Sequence, residues 1–353
     1  MTPRPEASRG VTIAGTGHYV PDRVLTNHDL TRMVETSDEW IRDRTGIEER
    51  RIAAPDQASS DLAVIAAREA LAASGLGVND VDQIIVATTT TDRILPSCAC
   101  TVQSKLGARR AAAYDLFAAC TGFIYGLGIG RGLVATGMAE TVLVIGVETL
   151  SRITNYSDRN TCVLFGDGAG AVVLRPCATG EGLHSIVMQS DGDLGEILEV
   201  PAGGSLAPMT PERLARGENF IRMKGKELFK VAVRSMEESL RRALEQADLT
   251  PADIDLLIPH QANLRIIDAV RARLGFPAEK MLVNIQRYGN TSSASIPISL
   301  DEAVRGGRVR RGDRLGFVAF GGGVTWGAAV MTWAPPVQAS SELAAPARAG
   351  AEA

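Results

Sequence analysis

The amino-acid sequence predicts an α/β fold made of two similar halves, each alternating strands and helices around a mostly parallel sheet. An amphipathic stretch at 61–74 leads through a polar link into the apolar run of LGVNDVDQIIVATTT, and a second stretch at 229–247 leads into LTPADIDLLIPHQA. Each half then closes with a strand, a Gly-rich turn and a strand, at 141–174 and at 315–333. These repeats predict two halves related by a pseudo-twofold axis, with a shared cleft between them.

The elements follow in order along the chain. We expect a disordered N-terminus at 1–10, a first half at 11–176, a second half at 177–334 and a disordered tail at 335–353, since both ends are polar and lack apolar periodicity. YDLFAACTGF opens a long helix after a short strand, and NIQRYGNTSSASIP holds the equivalent place in the second half.

Composition narrows the functional class. The chain has 353 residues, 45% of them hydrophobic and 22% charged, and 37 Lys plus Arg against 41 Asp plus Glu leave a net charge of -4. This favours a globular enzyme and gives no sign of a nucleic-acid or membrane surface. The start of the chain has no apolar signal segment, and five cysteines form a poor disulfide framework, so we expect a cytoplasmic protein with reduced thiols.

Cys120 is the strongest candidate nucleophile, because it lies where a strand turns into a helix. Free amides and the dipole at a helix N-terminus stabilise a thiolate, which predicts a lowered thiol pKa. Gly122, Gly126 and Gly130 form one smooth face of that helix and predict a central, buried position. The alternative for Cys120 is a small buried apolar residue. Cys98 and Cys100 lack the spacing of a zinc site, so no metal is predicted.

His260 follows a buried strand at the sheet edge where α/β active sites gather, and could handle protons there. It could equally be a loop residue beside the next helix. Asn290 could be catalytic, or a turn or cap residue.

Three glycine-rich segments remain. Gly15 to Gly17 and Gly166 to Gly170 lack the residues that complete nucleotide-binding loops. Gly321 to Gly323 could present backbone amides to an oxyanion or form a tight turn.

Together, DLFAACTGF, IPHQANLRIID, RYGNTSSAS, FGDGAGAVVL and FGGGVTWG, with SDEWIRDRTGIEER near the start, closely resemble the ketoacyl-acyl-carrier-protein synthase III family. The resemblance spans about residues 11–333. It implies the thiolase-like fold, with two βαβαβαββ halves in an α-β-α-β-α arrangement, and a homodimer. It also implies an acyltransferase that begins fatty acid biosynthesis without a cofactor.

The resemblance implies a two-stage condensation. An acyl-coenzyme A (acyl-CoA) acylates Cys120, and malonyl-acyl-carrier protein (malonyl-ACP) then binds and loses carbon dioxide. His260 and Asn290 donate hydrogen bonds to the enolate, and the amides of Cys120 and Gly322 form the oxyanion hole.

The resemblance also implies binding residues. Trp40 and Arg159 match positions that sandwich adenine, and Arg44 matches one that contacts the phosphate-bearing arm. The segment Gln261, Ala262, Asn263, Leu264 and Arg265 matches the carrier-protein contact, where Arg265 suits acidic helices. Leu95 stands where many acetyl-specific relatives carry Phe at an acyl pocket donated across the dimer interface, which predicts room for longer primers. Thr121 often corresponds to Ala and has no assigned consequence.

Other functions stay open. The nearest alternative is a polyketide or other specialised-metabolism condensing enzyme or acyltransferase of the same fold. From other classes, the site could belong to a thioester hydrolase, or the protein could be a non-catalytic carrier-binding module.

Overall fold

A computed structural model describes residues 9–336 as one nine-stranded mixed sheet with helices against it, and two small two-stranded sheets. The strands are β1 Gly10–Tyr19, β2 Arg23–Thr26, β3 Glu49–Ile52, β4 Gln83–Ala87, β5 Ala112–Leu116, β6 Val142–Thr149, β7 Asp167–Cys177, β8 Gly182–Ser190, β9 Leu198–Glu199, β10 Arg222–Met223, β11 Leu256–Pro259, β12 Arg314–Gly321 and β13 Thr325–Thr332. The helices are α1 Asn27–Leu30, α2 Asp38–Thr45, α3 Ser59–Ser74, α4 Cys98–Leu106, α5 Gly122–Ala135, α6 Arg159–Cys162, α7 Pro211–Ala215, α8 Gly225–Gln246, α9 Leu264–Leu274, α10 Ile285–Tyr288 and α11 Ser295–Arg305.

The predicted repeat is visible in the strand order, which runs β5-β4-β6-β7-β1 in the first half and β11-β12-β13-β8 in the second. The first half has the full β-α-β-α-β-α-β-β pattern. In the second half the strand equivalent to β5 is reduced to a single parallel bridge between Leu257 and Met281. The two parts of the sheet join where Val11 pairs with Gly182. The division at 176/177 falls at the end of β7 and stays a prediction.

Three hydrophobic clusters define the layers. One contains α5 and α11 between the two parts of the sheet, the second packs α3 and α4 against the first half, and the third packs α8 and α9 against the second. The order of layers is therefore α-β-α-β-α, as predicted, and burial of these apolar faces holds the halves together.

The glycine face of α5 explains how close this central helix lies to the sheet. A Cβ atom added at Gly126 would lie 2.7 Å from Cγ1 of Val144, and one at Gly130 would lie 2.6 Å from Cδ1 of Leu174. The close neighbours at both positions are side chains of the sheet, and the helix is central and buried, as the sequence predicted.

The ends of the described chain extend slightly beyond the predicted fold. Gly10 pairs with Cys177 in the sheet, and the carbonyl of Pro335 accepts a hydrogen bond from Arg311, so neither belongs to a disordered tail. Apart from residues 9, 10, 335 and 336, the predicted tails lie outside the described residues. Within 9–336, no helix combines the length and the apolar character needed to cross a bilayer, and all five cysteines are free thiols.

Candidate active site

A cavity of about 700 Å³ lies between the halves and is lined by Cys120, His260 and Asn290. Its lining also contains exposed cations and one acid, Asp158, whereas most of the remaining wall is apolar. The exposed cations are Arg44, Lys226, Lys230 and Arg265. A cavity with a basic rim, apolar walls and a polar end suits an anionic ligand with a long uncharged arm.

Cys120 lies in a single 3₁₀ turn, Ala119–Thr121, directly before α5, as the sequence predicted. Ala119 has a φ of 45°, so the turn is held in a left-handed conformation that is unfavourable for a residue with a side chain. Gly321, at the end of β12, packs against this turn. A Cβ atom at Gly321 would lie 2.6 Å from the backbone nitrogen of Cys120, so only glycine fits there.

Thr121 links the nucleophile turn to the second half. Its hydroxyl lies 2.7 Å from that of Thr325 in β13, and Thr325 also donates to the carbonyl oxygen of Gly322 at 3.2 Å. An Ala at 121 would lack this link, which gives the Thr a structural role that the sequence did not indicate.

The surroundings of Cys120 disfavour the ionised thiol. Burial raises the pKa of Cys120 to about 12, and the Glu148 carboxylate acts in the same direction, whereas the neighbouring Ser292 side chain acts to lower the pKa. The shift is opposite to the predicted one, because desolvation disfavours the thiolate more than the groups near the helix N-terminus favour it. Attack on a thioester therefore requires a group that takes the thiol proton.

His260 begins the loop after β11 and is 1% exposed. Its Nδ1 lies 2.7 Å from Oγ of Ser295, which accepts from the backbone N–H of Gln261 at 3.4 Å. The Ser295 hydroxyl can thus donate to Nδ1, which favours the neutral tautomer with its proton on Nε2. Burial lowers the pKa of His260 to about 3, so the imidazole is uncharged at neutral pH and can act as a hydrogen-bond donor.

Asn290 is fixed by both its backbone and its side chain. Its N–H donates to Leu164 at 2.8 Å, its carbonyl accepts from Gly166 at 3.0 Å, and its Oδ1 accepts from the N–H of Ser292 at 2.8 Å. Because Oδ1 is occupied by a donor, the amide orientation is defined and Nδ2 is the group left to donate.

Gly322 and Leu95 are predicted site residues that do not line the cavity of this chain. Gly322 directly follows Gly321, and therefore lies next to the residue that contacts Cys120. Leu95 is 84% exposed on the loop between β4 and α4.

Trp40, Arg44 and Arg159 are brought together as predicted, but they stack on each other. The guanidinium carbons of Arg44 and Arg159 lie 4.9 and 4.7 Å from the centre of the Trp40 ring. An adenine between Trp40 and Arg159 would need a separation of roughly two ring-stacking distances. Arg159 must therefore move away from Trp40 to admit a base between them.

The segment predicted to contact a carrier protein divides into buried and accessible residues. Gln261 is 1% exposed and bonds four backbone groups, at residues 259, 282, 284 and 285, so its side chain faces the interior, and its assignment as a carrier contact stays a prediction. Asn263 caps α9 by accepting from the N–H of Arg265 at 2.9 Å. Ala262 and Leu264 are partly exposed and Arg265 is exposed.

Several residues that line the cavity or bond its polar groups from behind were missed from the sequence. Lys226 and Lys230 were not assigned to the site, although three of the five lysines of the chain fall between 224 and 230, and that clustering was the available signal. Ser295 and Glu148 were missed because their partners are 35 and 144 residues away in sequence. No local sequence pattern predicts such long-range pairs.

One cluster among residues 9–336 has metal-ligating atoms, formed by His18, Glu69 and Asp301. Arg305 already pairs with both carboxylates, at 2.7 Å to each. A cation of the protein itself therefore balances this cluster.

Comparisons with known proteins agree with this architecture. Family models match for 3-oxoacyl-[acyl-carrier-protein (ACP)] synthase III over residues 114–192 and for the C-terminal region of the same family over 244–333. A beta-ketoacyl-[acyl-carrier-protein] synthase III of Symbiobacterium thermophilum is 56% identical over 325 residues, which is 92% of this chain and 98% of the relative.

Solved structures match over similar lengths. The 3-oxoacyl-[acyl-carrier-protein] synthase III from Aquifex aeolicus has a TM-score of 0.85 at 49% identity, covering 92% of this chain and all of that one. The priming beta-ketosynthase of the R1128 polyketide biosynthetic pathway has a TM-score of 0.88 at 34% identity, covering 95% and all of the respective chains.

The duplicated α-β-α-β-α fold and these relatives define a thiolase-like condensing enzyme of the acyltransferase class. Within that class the identity over nine tenths of the chain decides the family. The chain belongs to the beta-ketoacyl-[acyl-carrier-protein] synthase III family.

Proposed function

We propose that the chain condenses an acyl-CoA primer with malonyl-ACP in the cytoplasm, giving 3-oxoacyl-ACP, carbon dioxide and free CoA as the first step of fatty acid synthesis. The observation that carries the proposal is a cavity in which a thiol, a neutral imidazole and an oriented amide lie behind a basic rim. The first half-reaction transfers the acyl group to Cys120, with the amides of Cys120 and Gly322 as oxyanion donors.

The second half-reaction uses the two oriented donors. Loss of carbon dioxide from the malonyl group places negative charge on its thioester oxygen, where His260 Nε2–H and Asn290 Nδ2–H donate hydrogen bonds. A neutral imidazole suits this role because it can donate without first taking up a proton from solvent. The resulting carbanion attacks the acyl group on Cys120.

The basic rim is the proposed docking surface for both anionic partners. Arg44 and the Trp40–Arg159 stack would receive CoA, and Arg265 with the accessible residues Ala262, Asn263 and Leu264 would receive the acidic carrier protein. Exchange of Lys226 or Arg265 for Glu should raise KM for malonyl-ACP, most strongly at low salt. Arg242→Glu, on the exposed side of α8 and outside the cavity, is the matched control.

A homodimer would complete the acyl pocket. β5 is the last strand of the sheet and leaves its outer edge unpaired among the described residues, close in sequence to Ile94, Leu95 and Phe117, which are 92, 84 and 78% exposed. A second copy at this edge would bury them and bring Leu95 towards the partner's site. Light scattering should then show a dimer, and Leu95→Phe should selectively slow long primers. A fully active monomer would contradict this.

The central experiment follows both half-reactions in the intact protein. Native protein incubated with acyl-CoA should gain one acyl mass, and adding malonyl-ACP should release carbon dioxide and form 3-oxoacyl-ACP. Cys120→Ser should fail to acylate, whereas Asn290→Ala should acylate but not decarboxylate. Asn160→Ala, also in the cavity lining, serves as the control. Release of free acid without ketoacyl product would identify a thioester hydrolase instead.

The structural likeness to the R1128 priming ketosynthase favours one second candidate, a condensing enzyme of specialised metabolism. The two differ in primer and carrier protein, not in catalytic groups. A panel of acyl-CoA primers against fatty-acid and polyketide carrier proteins separates them by kcat/KM.

A further inference from the structure

Glu148, at the end of β6, is a buried acid to which the proposed mechanism gives no role. It is 0% exposed, yet six donor groups lie within hydrogen-bond distance of its carboxylate. The N–H of Thr89 lies 3.2 and 3.1 Å from its two oxygens, and the hydroxyls of Thr89, Thr90 and Thr88 lie 3.0, 2.6 and 3.3 Å from Oε2. The hydroxyls of Ser292 and Ser293 lie 3.1 and 3.5 Å from Oε1. Burial raises the pKa of Glu148, while these hydrogen bonds act to keep it ionised.

Ser292 connects this acid with the nucleophile. Its hydroxyl donates to Glu148, its side chain lies beside the Cys120 thiol, and its N–H donates to Asn290 Oδ1. The 3₁₀ turns that carry Cys120 and Ser292 pack against each other, which places the three groups in a chain.

The backbone of Ser292 gives an independent indication that its hydroxyl is used. Its φ is 48°, a left-handed conformation that is unfavourable for a residue with a side chain and readily adopted by glycine. Glycine would keep the N–H that orients Asn290. What glycine would lack is the hydroxyl between Cys120 and Glu148.

We propose that Ser292 and Glu148 form a proton relay for the acylation of Cys120. The thiol proton passes to Ser292 Oγ while the Ser292 hydroxyl proton passes to the Glu148 carboxylate. The Cys120 sulfur then forms its bond to the thioester carbon, and the carbon–sulfur bond to CoA breaks. The proton returns through Ser292 to the CoA thiolate, so that Glu148 ends as a carboxylate and CoA leaves as a thiol. This inference rests on the proposed acylation by acyl-CoA.

His260 is poorly suited to the same task. Its Nδ1 lies against the Ser295 hydroxyl, and its Nε2 holds the proton that the second half-reaction uses, so neither nitrogen offers a free lone pair to the thiol. Around Cys120, the described titratable groups are Glu148 and, across the cavity, His260. Glu148 is faced by hydroxyls and an amide from the loop after β4 and by the hydroxyls of Ser292 and Ser293. Asp92 in that loop accepts from Ser60 instead.

The test measures single-turnover acylation of Cys120 by mass spectrometry as a function of pH. Native protein should acylate at a rate that levels off above the pKa of Glu148, because the acid is then ready to accept a proton. In Glu148→Gln the rate at pH 7 should fall by about 10²–10⁴-fold, the usual contribution of a general base. It should then rise tenfold per pH unit through the neutral range, since only solvent base is left.

Two further variants separate the relay from a structural role. Ser292→Gly should slow acylation like Glu148→Gln, although relief of the strained φ leaves its thermal unfolding temperature equal to or above that of native protein. Thr89→Val removes another donor to the same carboxylate but not the path to the thiol. The pH–rate profile of Thr89→Val should keep its plateau, and the pH at which the rate begins to fall should be higher, because a carboxylate with fewer hydrogen-bond donors has a raised pKa.

Each outcome decides one question. If native protein does not acylate at Cys120, the proposed function fails. If native protein acylates and either Glu148→Gln or Ser292→Gly keeps its rate and plateau, the relay is wrong. If the acylation rate of Glu148→Gln is lower by the same factor at every pH and the plateau is retained, the relay is also wrong and Glu148 has a structural role.

Discussion

Replacing Ser295 with Ala should impair the second half-reaction and spare the first. The change removes the hydroxyl 2.7 Å from His260 Nδ1 and nothing that contacts Cys120 in the described structure. Without that donor, the imidazole can place its proton on either nitrogen. Only the form protonated on Nε2 can donate to the enolate oxygen, so decarboxylation slows while acylation of Cys120 proceeds.

The size of the effect follows from one buried hydrogen bond. Such a bond between neutral groups contributes about 1–2 kcal/mol when its loss leaves a buried partner unpaired, and 1.4 kcal/mol corresponds to about tenfold in rate. We therefore expect malonyl decarboxylation to fall about 5- to 30-fold. Because the pKa of His260 is lowered to about 3, no inflection near pH 6.5 should appear in native protein or in the variant.

The assay compares carbon dioxide release from malonyl-ACP with acylation followed by mass. Ser299→Ala is the matched control, since Ser299 lies one turn further along α11, is equally buried and loses a hydrogen bond of 3.1 Å to Asn284. Both variants should lose similar stability. Equal losses of acylation and decarboxylation in Ser295→Ala, or a decarboxylation rate equal to that of Ser299→Ala, would refute the tautomer argument.

Three other predictions concern stability. His260 is protonated below about pH 6.5 in the unfolded chain but only below about pH 3 in the folded chain, so the free energy of unfolding falls as pH is lowered across this range. In His260→Gln the thermal unfolding temperature should therefore fall less steeply over the same range. Gln261→Ala should cost about 2–3 kcal/mol in urea unfolding, and its KM for malonyl-ACP should stay unchanged if the side chain is a buried brace. Gly126→Ala should destabilise by about 1–3 kcal/mol because it meets Val144, whereas Gly132→Ala, with open space beside it, should stabilise by about 0.5–1 kcal/mol. Equal effects of the two Gly variants would contradict the packing argument.

The parts of the site that the sequence predicted are those with a local signal. Cys120 was placed correctly because a strand, a turn and a glycine-faced helix surround it within the chain. The parts that were missed depend on distant contacts. Gln261 belongs to a segment that resembles a docking loop, and only the backbone groups around it show that it is buried. The thiol pKa was predicted from the helix N-terminus alone, and desolvation outweighs that local effect.

In the fold, too, the sequence predicted the features that have a local signal and missed those that depend on distant contacts. The repeat of amphipathic helix and apolar strand predicted both halves and their layers, because periodicity is a property of each element. It did not predict that the second half lacks one strand. Residues near Met281 make a single bridge to Leu257, and the chain then turns into the short helix α10 that leads to Asn290. Whether a short apolar run forms a strand depends on its neighbours, which the local pattern does not contain.

The duplication gives a physical reason for the division of roles in the site. At equivalent places, each half has a three-residue 3₁₀ turn directly before a central helix, Ala119–Thr121 before α5 and Ser292–Ala294 before α11. Each turn begins with a residue other than glycine at positive φ, 45° at Ala119 and 48° at Ser292. Since the turns pack together, a group carried by one is held at a fixed position relative to a group carried by the other. The first turn carries the thiol that must be acylated, and the second carries the Ser292 hydroxyl and the N–H that orients Asn290. The positive φ in both turns is therefore best explained as the cost of holding groups from the two halves of the fold next to each other.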